Sequence, residues 1–227
     1  MKTGVFLLFA IYLIVPALNA QTFTGSFDLV VNHYYPNGNE RIDTISYFFG
    51  KDKTAIIIYG KRRDPDMRMV FSPKDSTITN LFEMNGKKTG YILPMDEKHW
   101  PGMQYALRPY NAGPRKKLNY TGNETTLEGY HCREVLADNG KYSATIMLAE
   151  DIKLSMSSVF SYQSVGAGKS QDESGLFDKF GVQELPLELN LKSKEEKANV
   201  IIRVVNFNKA FPDTIFSTES HSLSKVE

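Results

Sequence analysis

The sequence contains one cysteine, Cys132, and one tryptophan, Trp100, in 227 residues. A single cysteine excludes an intramolecular disulfide, so packing must stabilise the fold. Cys132 lies in a stretch of alternating apolar residues. We therefore expect a buried thiol that acts as a small hydrophobic side chain rather than as a nucleophile.

The charges nearly balance, since the sequence has 27 lysines and arginines and 26 aspartates and glutamates. A nucleic-acid-binding domain needs a clustered positive face, which this composition does not favour. The short basic runs at residues 61–63 and 115–117 lie beside turn residues, and we interpret them as solvated loop charges. The sequence therefore predicts no nucleic-acid partner.

Motifs for catalysis and metal binding are also missing. The four histidines have no metal-ligand spacing, and no Gly-x-Ser-x-Gly elbow is present. Two pairs of closely spaced carboxylates occur, Glu124 with Glu128 and Asp64 with Asp66. Such pairs are typical of solvated surfaces, and nothing in the sequence places them in a cleft. We predict no catalytic residue, no metal ligand and no cofactor, and hence a protein that is not an enzyme.

A long apolar run occurs only at the N-terminus, where Lys2 precedes the run Val5–Val15 and small residues follow at 17–20. The run is too short to span about 30 Å of hydrocarbon, which favours a signal peptide over a membrane anchor. We predict a signal peptide at residues 1–20 and a single domain at residues 21–227. The expected location is periplasmic or secreted, with no transmembrane segment after cleavage.

Apolar and polar residues alternate with period two along most of the remaining chain. This pattern predicts about ten strands joined by Asn-Gly and similar turns, with one dry and one wet sheet face. The predicted strands are 23–31, 41–49, 54–59, 67–71, 76–83, 88–93, 125–137, 141–149, 184–192 and 198–207. Consecutive hairpins with little helix predict a mainly β fold, an antiparallel sheet that curls on itself.

Several segments depart from this alternation. Residues 94–114 contain four prolines and predict an irregular excursion or a short helix. Residues 152–162 have apolar side chains near helical spacing, although four serines weaken the helix propensity. We predict a mobile loop at residues 166–175 and a weakly ordered tail after Pro212.

Methionine and aromatic side chains are concentrated in the run Met67–Phe71 and in the segment that follows it. Two interpretations are open: these side chains fill a core, or they line an apolar cavity, because both residue types adapt to flexible ligands. On the second interpretation, Met69, Tyr91, Trp100 and Phe160 are the predicted cavity or lid residues.

Four stretches of the chain resemble the domain of unknown function 4412 family, and the resemblance extends over residues 23–216. They are Met67–Thr79, Asn85–Tyr91, Leu127–Val135 and Leu185–Leu189. The family consists of exported proteins, mainly from Bacteroidota-type bacteria, and is similar in fold to the periplasmic lipoprotein carrier. The resemblance implies a curved antiparallel sheet that forms an unclosed barrel, with a few short helices as a lid over an apolar cavity. It carries no catalytic residue.

Two functions remain open at this point. The first is a non-catalytic binding or carrier module that shelters a lipid or a lipoprotein acyl chain, with each enclosed CH₂ contributing roughly 0.8 kcal/mol. The second is a structural or protein-interaction module of the cell envelope whose core is filled. The expected partner is accordingly a lipid or an envelope protein.

Overall fold

The computed structural model describes residues 23–166, 175 and 177–226. The predicted signal peptide and most of the predicted loop at 166–175 lie outside these residues. The described chain forms a twelve-stranded sheet with two short α-helices. The strands are β1 (Gly25–Tyr34), β2 (Glu40–Phe49), β3 (Thr54–Ile58), β4 (Met67–Ser72), β5 (Thr77–Met84), β6 (Lys87–Pro94), β7 (Asn119–Leu127), β8 (Tyr130–Asp138), β9 (Tyr142–Ala149), β10 (Leu185–Ser193), β11 (Asn199–Asn208) and β12 (Ser222–Lys225).

The strand order is β12-β6-β5-β4-β3-β2-β1-β11-β10-β9-β8-β7. Antiparallel neighbours build two runs of strands, β1 to β6 and β7 to β11, and the runs join where β1 pairs with β11. Among the described strands, β12 alone is parallel to its neighbour, β6. Because β7 and β12 do not pair with each other, the sheet stays open. The predicted mainly β fold with an unclosed, curved sheet is confirmed.

Tight turns with positive φ angles set the strand boundaries. Asn85 and Gly86 have φ angles of 54° and 72°, as a type I′ hairpin requires, and they join β5 to β6 as predicted. Glu128 and Gly129 have φ angles of 49° and 79° and make a second such turn, between β7 and β8. The prediction of one continuous strand over residues 125–137 is therefore wrong. Glutamate seldom adopts positive φ, so the turn was not visible in the sequence.

One face of the sheet, called here the inner face, carries the main hydrophobic core. Phe27 and Leu29 of β1 lie directly opposite Tyr47 and Ile45 of β2, and all four side chains are buried. Because side chains alternate along a strand, the residues between them point to the opposite, outer face.

Two helices and the loops around them cover one end of the inner face. They are α1 (Met103–Ala106) and α2 (Met156–Ser161), and a 3₁₀ turn, Tyr162–Ser164, continues α2. The predicted helix begins only at Met156, because the Ser155 side chain caps it by accepting a hydrogen bond from the backbone of Ser158 at 3.2 Å. Residues 95–113, 150–166 and 177–183 are together called the cover.

The C-terminal segment crosses the outer face as a strap, defined as residues 209–226. Its 3₁₀ turn Asp213–Phe216 packs on a small second core formed by Ala55, Val70 and Leu81. The strap then reaches the edge of the sheet and adds β12 to β6.

Arg68 fastens this strap to the sheet. Its guanidinium donates hydrogen bonds to the backbone carbonyls of Ile215 at 2.9 Å and Ser217 at 2.8 Å. The prediction of a weakly ordered tail is therefore wrong. The residues that hold the tail lie far away in the sequence, where local composition carries no sign of them.

Candidate functional site

The four predicted cavity or lid residues lie in two parts of the structure. Met69 of β4 is buried on the inner face, and Tyr91 of β6 lies on the same face with 44% of its surface exposed. Trp100 and Phe160 belong to the cover, where Phe160 stacks on Phe177 at a ring distance of 4.3 Å. A role of these residues in ligand binding stays a prediction.

Trp100 joins the cover to the sheet. Its ring is fully buried and lies 4.7 Å from the ring of Phe71 on β4 and 5.3 Å from that of Tyr162. The indole nitrogen donates a hydrogen bond to the carbonyl of Ser161 at 2.7 Å. The covered end of the inner face is thus filled by aromatic side chains.

A cavity of about 10 Å³ lies between the cover and strands β9 and β10. Its lining is apolar and consists of Ile146, Met156, Phe177, Phe180, Val182, Pro186 and Leu189. This volume holds about one water molecule, whereas pockets for drug-sized ligands measure roughly 300–1,000 Å³. The cavity is therefore too small for an acyl chain in this conformation.

Serine side chains connect the two helices of the cover. The Ser158 hydroxyl donates to the carbonyl of Ala106 at 3.1 Å, and the Ser164 hydroxyl accepts from the backbone of Gly102 at 2.8 Å. These bonds, together with the local hydrogen bond from the Ser161 hydroxyl to the Ser157 carbonyl, explain why a helix rich in serine persists despite its weak propensity, since its buried hydroxyls have partners.

An ion pair links the first and third segments of the cover, residues 95–113 and 177–183. Arg108 donates two hydrogen bonds of 2.6 Å to the carboxylate of Asp178, which also accepts from the Ser157 hydroxyl of α2. The side chains of Arg108 and Asp178 are 19% and 14% exposed. The hydrogen bonds to Asp178 raise the pKa of the Arg108 guanidinium. This cluster, called the latch, was not predicted, because its members are distant in sequence.

Two buried tyrosines form polar contacts between sheet and cover. The amide of Gln163 donates to the Tyr47 hydroxyl at 2.7 Å, and Thr54 donates to the Tyr162 hydroxyl at 3.3 Å. Burial raises the pKa of Tyr162 to about 12, and burial also raises the pKa of Tyr47. Both hydroxyls therefore stay protonated in the folded protein well above the ordinary tyrosine pKa.

Alkaline solution is expected to destabilise the fold through these tyrosines. Because the pKa of Tyr162 rises from 10.0 unfolded to about 12 folded, the folded state binds more protons in this interval. The free energy of unfolding should fall above pH 10 by about 1.4 kcal/mol per pH unit for this residue. Urea unfolding on both sides of pH 10 measures the slope. An unchanged slope in the Tyr162→Phe variant contradicts this assignment.

The cover leaves part of the inner face open, and we call this part the mouth. Ile58, Met67 and Phe82 lie directly opposite one another on β3, β4 and β5, and Phe82 lies opposite Thr89 of β6. Tyr91 of β6 lies opposite Asn80, and Met84 lies opposite Lys87. The apolar side chains of the mouth share the inner face. They are Ile58, Met67, Phe82, Met84 and Tyr91. The rings of Phe82 and Tyr91 lie 5.8 Å apart, and Met84 is 55% exposed. The mouth is an apolar, methionine-containing surface that adapts readily to flexible partners.

Charged side chains lie at the rim of the mouth on β2 and the loop after β3. Asp43 lies opposite Val31 of the core, so it points to the inner face. It forms ion pairs with Arg41 at 2.7 Å and with Lys61. Although burial raises the pKa of Asp43, hydrogen bonds from Lys61 and Arg41 hold it below the ordinary value.

Two further groups complete the rim. Lys87 of β6 lies directly opposite Met84 of β5, and therefore on the same face as the mouth. Burial lowers the pKa of His33, which lies opposite Arg41, and this favours the neutral imidazole.

The described residues offer no group of three or more His, Cys, Asp or Glu side chains that could hold a metal ion. Of the carboxylate pairs noted in the sequence, Glu124 and Glu128 lie away from the mouth, where Glu124 pairs with the exposed His131 at 3.5 Å and Glu128 accepts a hydrogen bond from the backbone of Phe207. Asp64 and Asp66 lie in the loop after β3, where Asp66 accepts a hydrogen bond from the backbone of Gly60 at 2.9 Å. Cys132 is buried, and its burial raises the thiol pKa, as expected for a structural cysteine. No helix in the described ranges is long and apolar enough to cross a membrane.

No protein-family model matches the sequence, and no curated protein matches it. The resemblance to the domain of unknown function 4412 family thus stays a prediction.

Several solved structures are similar in outline. PNGF-II has a TM-score of 0.39 and 11% identity over 88% of this chain, which spans about a third (31%) of that protein's length. An uncharacterised conserved protein from Thermus thermophilus has a TM-score of 0.40 and 9% identity, covering 89% of this chain and 91% of that one. A LolA superfamily protein from Nitrosomonas europaea has a TM-score of 0.36 and 7% identity, covering 86% and 90%. At such low scores and identities, these similarities support no statement about activity, ligand or partner.

Proposed function

We propose that this protein is a non-catalytic binding or carrier module of the cell envelope that receives the apolar part of a lipid at the mouth. The observation that carries the proposal is the open apolar surface of the mouth beside a covered, filled interior. Such a surface loses contact with water when an acyl chain lies on it, which stabilises the complex by roughly 25 cal/mol for each Å² of apolar area removed.

The predicted residues have distinct parts in this proposal. Tyr91 lies at the mouth and contacts the ligand directly, while Met69 forms the floor behind it. Trp100 and Phe160 hold the cover, which borders the mouth. The small inner cavity means that the site is a surface groove, and a longer acyl chain has to displace part of the cover to enter further.

The test is the uptake of a fluorescent fatty acid by delipidated protein, compared between wild type and a Met84→Ser/Tyr91→Ser double variant. Removing two partly exposed apolar side chains is expected to weaken binding at least about tenfold. The matched control is Ile42→Ser/Leu136→Ser, which removes two outer-face side chains of similar exposure, 58% and 45%. Equal loss in both double variants, or no uptake by wild type, overturns the proposal.

The filled interior favours a second candidate, a protein-interaction module of the envelope. Its docking element is the edge strand β7, which pairs with β8 on one side and is exposed along almost its whole length. An exposed edge offers unpaired backbone groups to an extended segment of a partner. Native mass spectrometry with lipid extraction separates the candidates: a lipid-mass adduct supports the first, and a stoichiometric protein partner with no lipid supports the second.

A further inference from the structure

The rim of the mouth has an excess of positive charge. Arg41, Lys61 and Lys87 provide three cations, while Asp43 provides one carboxylate on the same face. The other charges of the loop after β3 balance, since Arg62 and Arg63 accompany Asp64 and Asp66. Glu40 of β2 lies opposite Tyr34, and Glu83 of β5 lies opposite Lys88. Alternation therefore turns both glutamates to the outer face, away from the mouth.

We infer that the ligand of the mouth is a single lipid molecule with an anionic headgroup, which the rim cations bind while the acyl chain lies on the apolar side chains. This inference rests on the proposed function and names the class of lipid. Charge complementarity carries it: one carboxylate cannot neutralise three cations, so a bound phosphate or carboxylate headgroup supplies the missing negative charge.

The dimensions of the mouth favour one lipid molecule over a bilayer surface. The apolar side chains lie on four adjacent strands, β3 to β6, so the mouth is roughly 14 Å wide across the strands, three strand spacings of about 4.8 Å. Trp100 of the cover packs on Phe71, which lies on the same face of β4 as Met67, so the cover borders the mouth on this side. A flat membrane needs a protruding surface, whereas a bordered strip fits an isolated chain with its headgroup at the rim.

The cations lie at the edge of the apolar side chains, so the headgroup and the acyl chain of a bound lipid would contact different parts of the mouth. Met84 and Lys87 lie opposite each other on neighbouring strands, which places an ammonium group at this edge. Lys61 reaches Asp43 from the loop that follows β3, at the same end of the sheet. An acyl chain that lies along the mouth therefore ends beside positive charge.

The experiment measures binding of two lysophospholipids with the same acyl chain, one with the anionic phosphoglycerol headgroup and one with zwitterionic phosphocholine. Wild-type protein is expected to bind the anionic lipid roughly tenfold more tightly at low salt, because each exposed ion pair contributes modestly. Raising the salt concentration should reduce this preference by screening. The triple variant R41Q/K61Q/K87Q should bind both lipids alike.

The matched control is the triple variant K51Q/K74Q/K209Q, which changes the net charge equally with exposed lysines outside the mouth. This control should retain the anionic preference. Equal binding of both lipids by wild type overturns the headgroup inference while the proposed function stands. Binding of neither lipid overturns both. Association with anionic vesicles without uptake of a monomeric lipid points to a membrane surface and also overturns the inference.

Discussion

Replacing Trp100 with alanine is expected to lower the free energy of unfolding by about 3–5 kcal/mol. The indole is fully buried between Phe71 of the sheet and Tyr162 of the cover, and it donates to a backbone carbonyl. The smaller side chain leaves a void, and the Ser161 carbonyl loses one of its two donors but still accepts from the Ser164 hydroxyl at 2.8 Å, so the void accounts for most of the loss. Urea unfolding followed by circular dichroism measures the change.

A Trp100→Phe variant is the matched comparison for this prediction. It keeps an aromatic ring against Phe71 and Tyr162 but loses the hydrogen bond to Ser161. Its loss of stability should therefore be clearly smaller than that of the alanine variant. If both variants unfold at the wild-type urea concentration, Trp100 does not connect cover and sheet in the way described.

Replacing Asp178 with alanine is the second large expected effect, a loss of about 3 kcal/mol at the lower end of the range for broken buried pairs. The change leaves the mostly buried Arg108 guanidinium without its carboxylate and removes the acceptor of the Ser157 hydroxyl. Because the latch joins the parts of the cover, the emission of Trp100 should also move to longer wavelength as water reaches the ring. Urea unfolding and intrinsic fluorescence measure the two effects.

The double variant R108M/D178L tests whether an unpaired charge causes the loss. Removing both charges together should cost less than Asp178→Ala alone, because no buried ion remains unpaired. The exposed pair of Lys197 and Glu195 is the surface control, and Glu195→Ala should leave stability unchanged within error. A loss in the double variant as large as in Asp178→Ala contradicts the proposed origin.

Most of the sheet could be predicted from the sequence because local patterns specify it. Alternation identified the strands of the first half, and Asn-Gly signals identified turns such as that at residues 85–86. The parts that were missed depend on contacts between distant residues. The strap is held by Arg68, and the edge strand β7 ends at a turn formed by Glu128, and neither residue has a local sequence signature.

The candidate site was predictable only in its composition. Methionine and aromatic enrichment pointed to Met69 and Tyr91, but alternation did not say which of them the cover would bury. To predict the rim cluster around Asp43, one must know the register of β1 with β2 and the path of the loop after β3. Register and loop course are fixed by tertiary packing, so neither could be derived from residue order alone.

The sheet can be completed only late in folding, because β1 pairs with β11 and β6 pairs with β12 of the strap. A chain that emerges with its N-terminus first presents β1 to β6 as a meander whose two outer edges await strands from the C-terminal quarter. Pairings between such distant segments form slowly, because a long loop must close before the contacts repay its entropy. Both edges of the early meander remain open to intermolecular strand pairing during that time, so an incompletely folded chain is exposed to association through them.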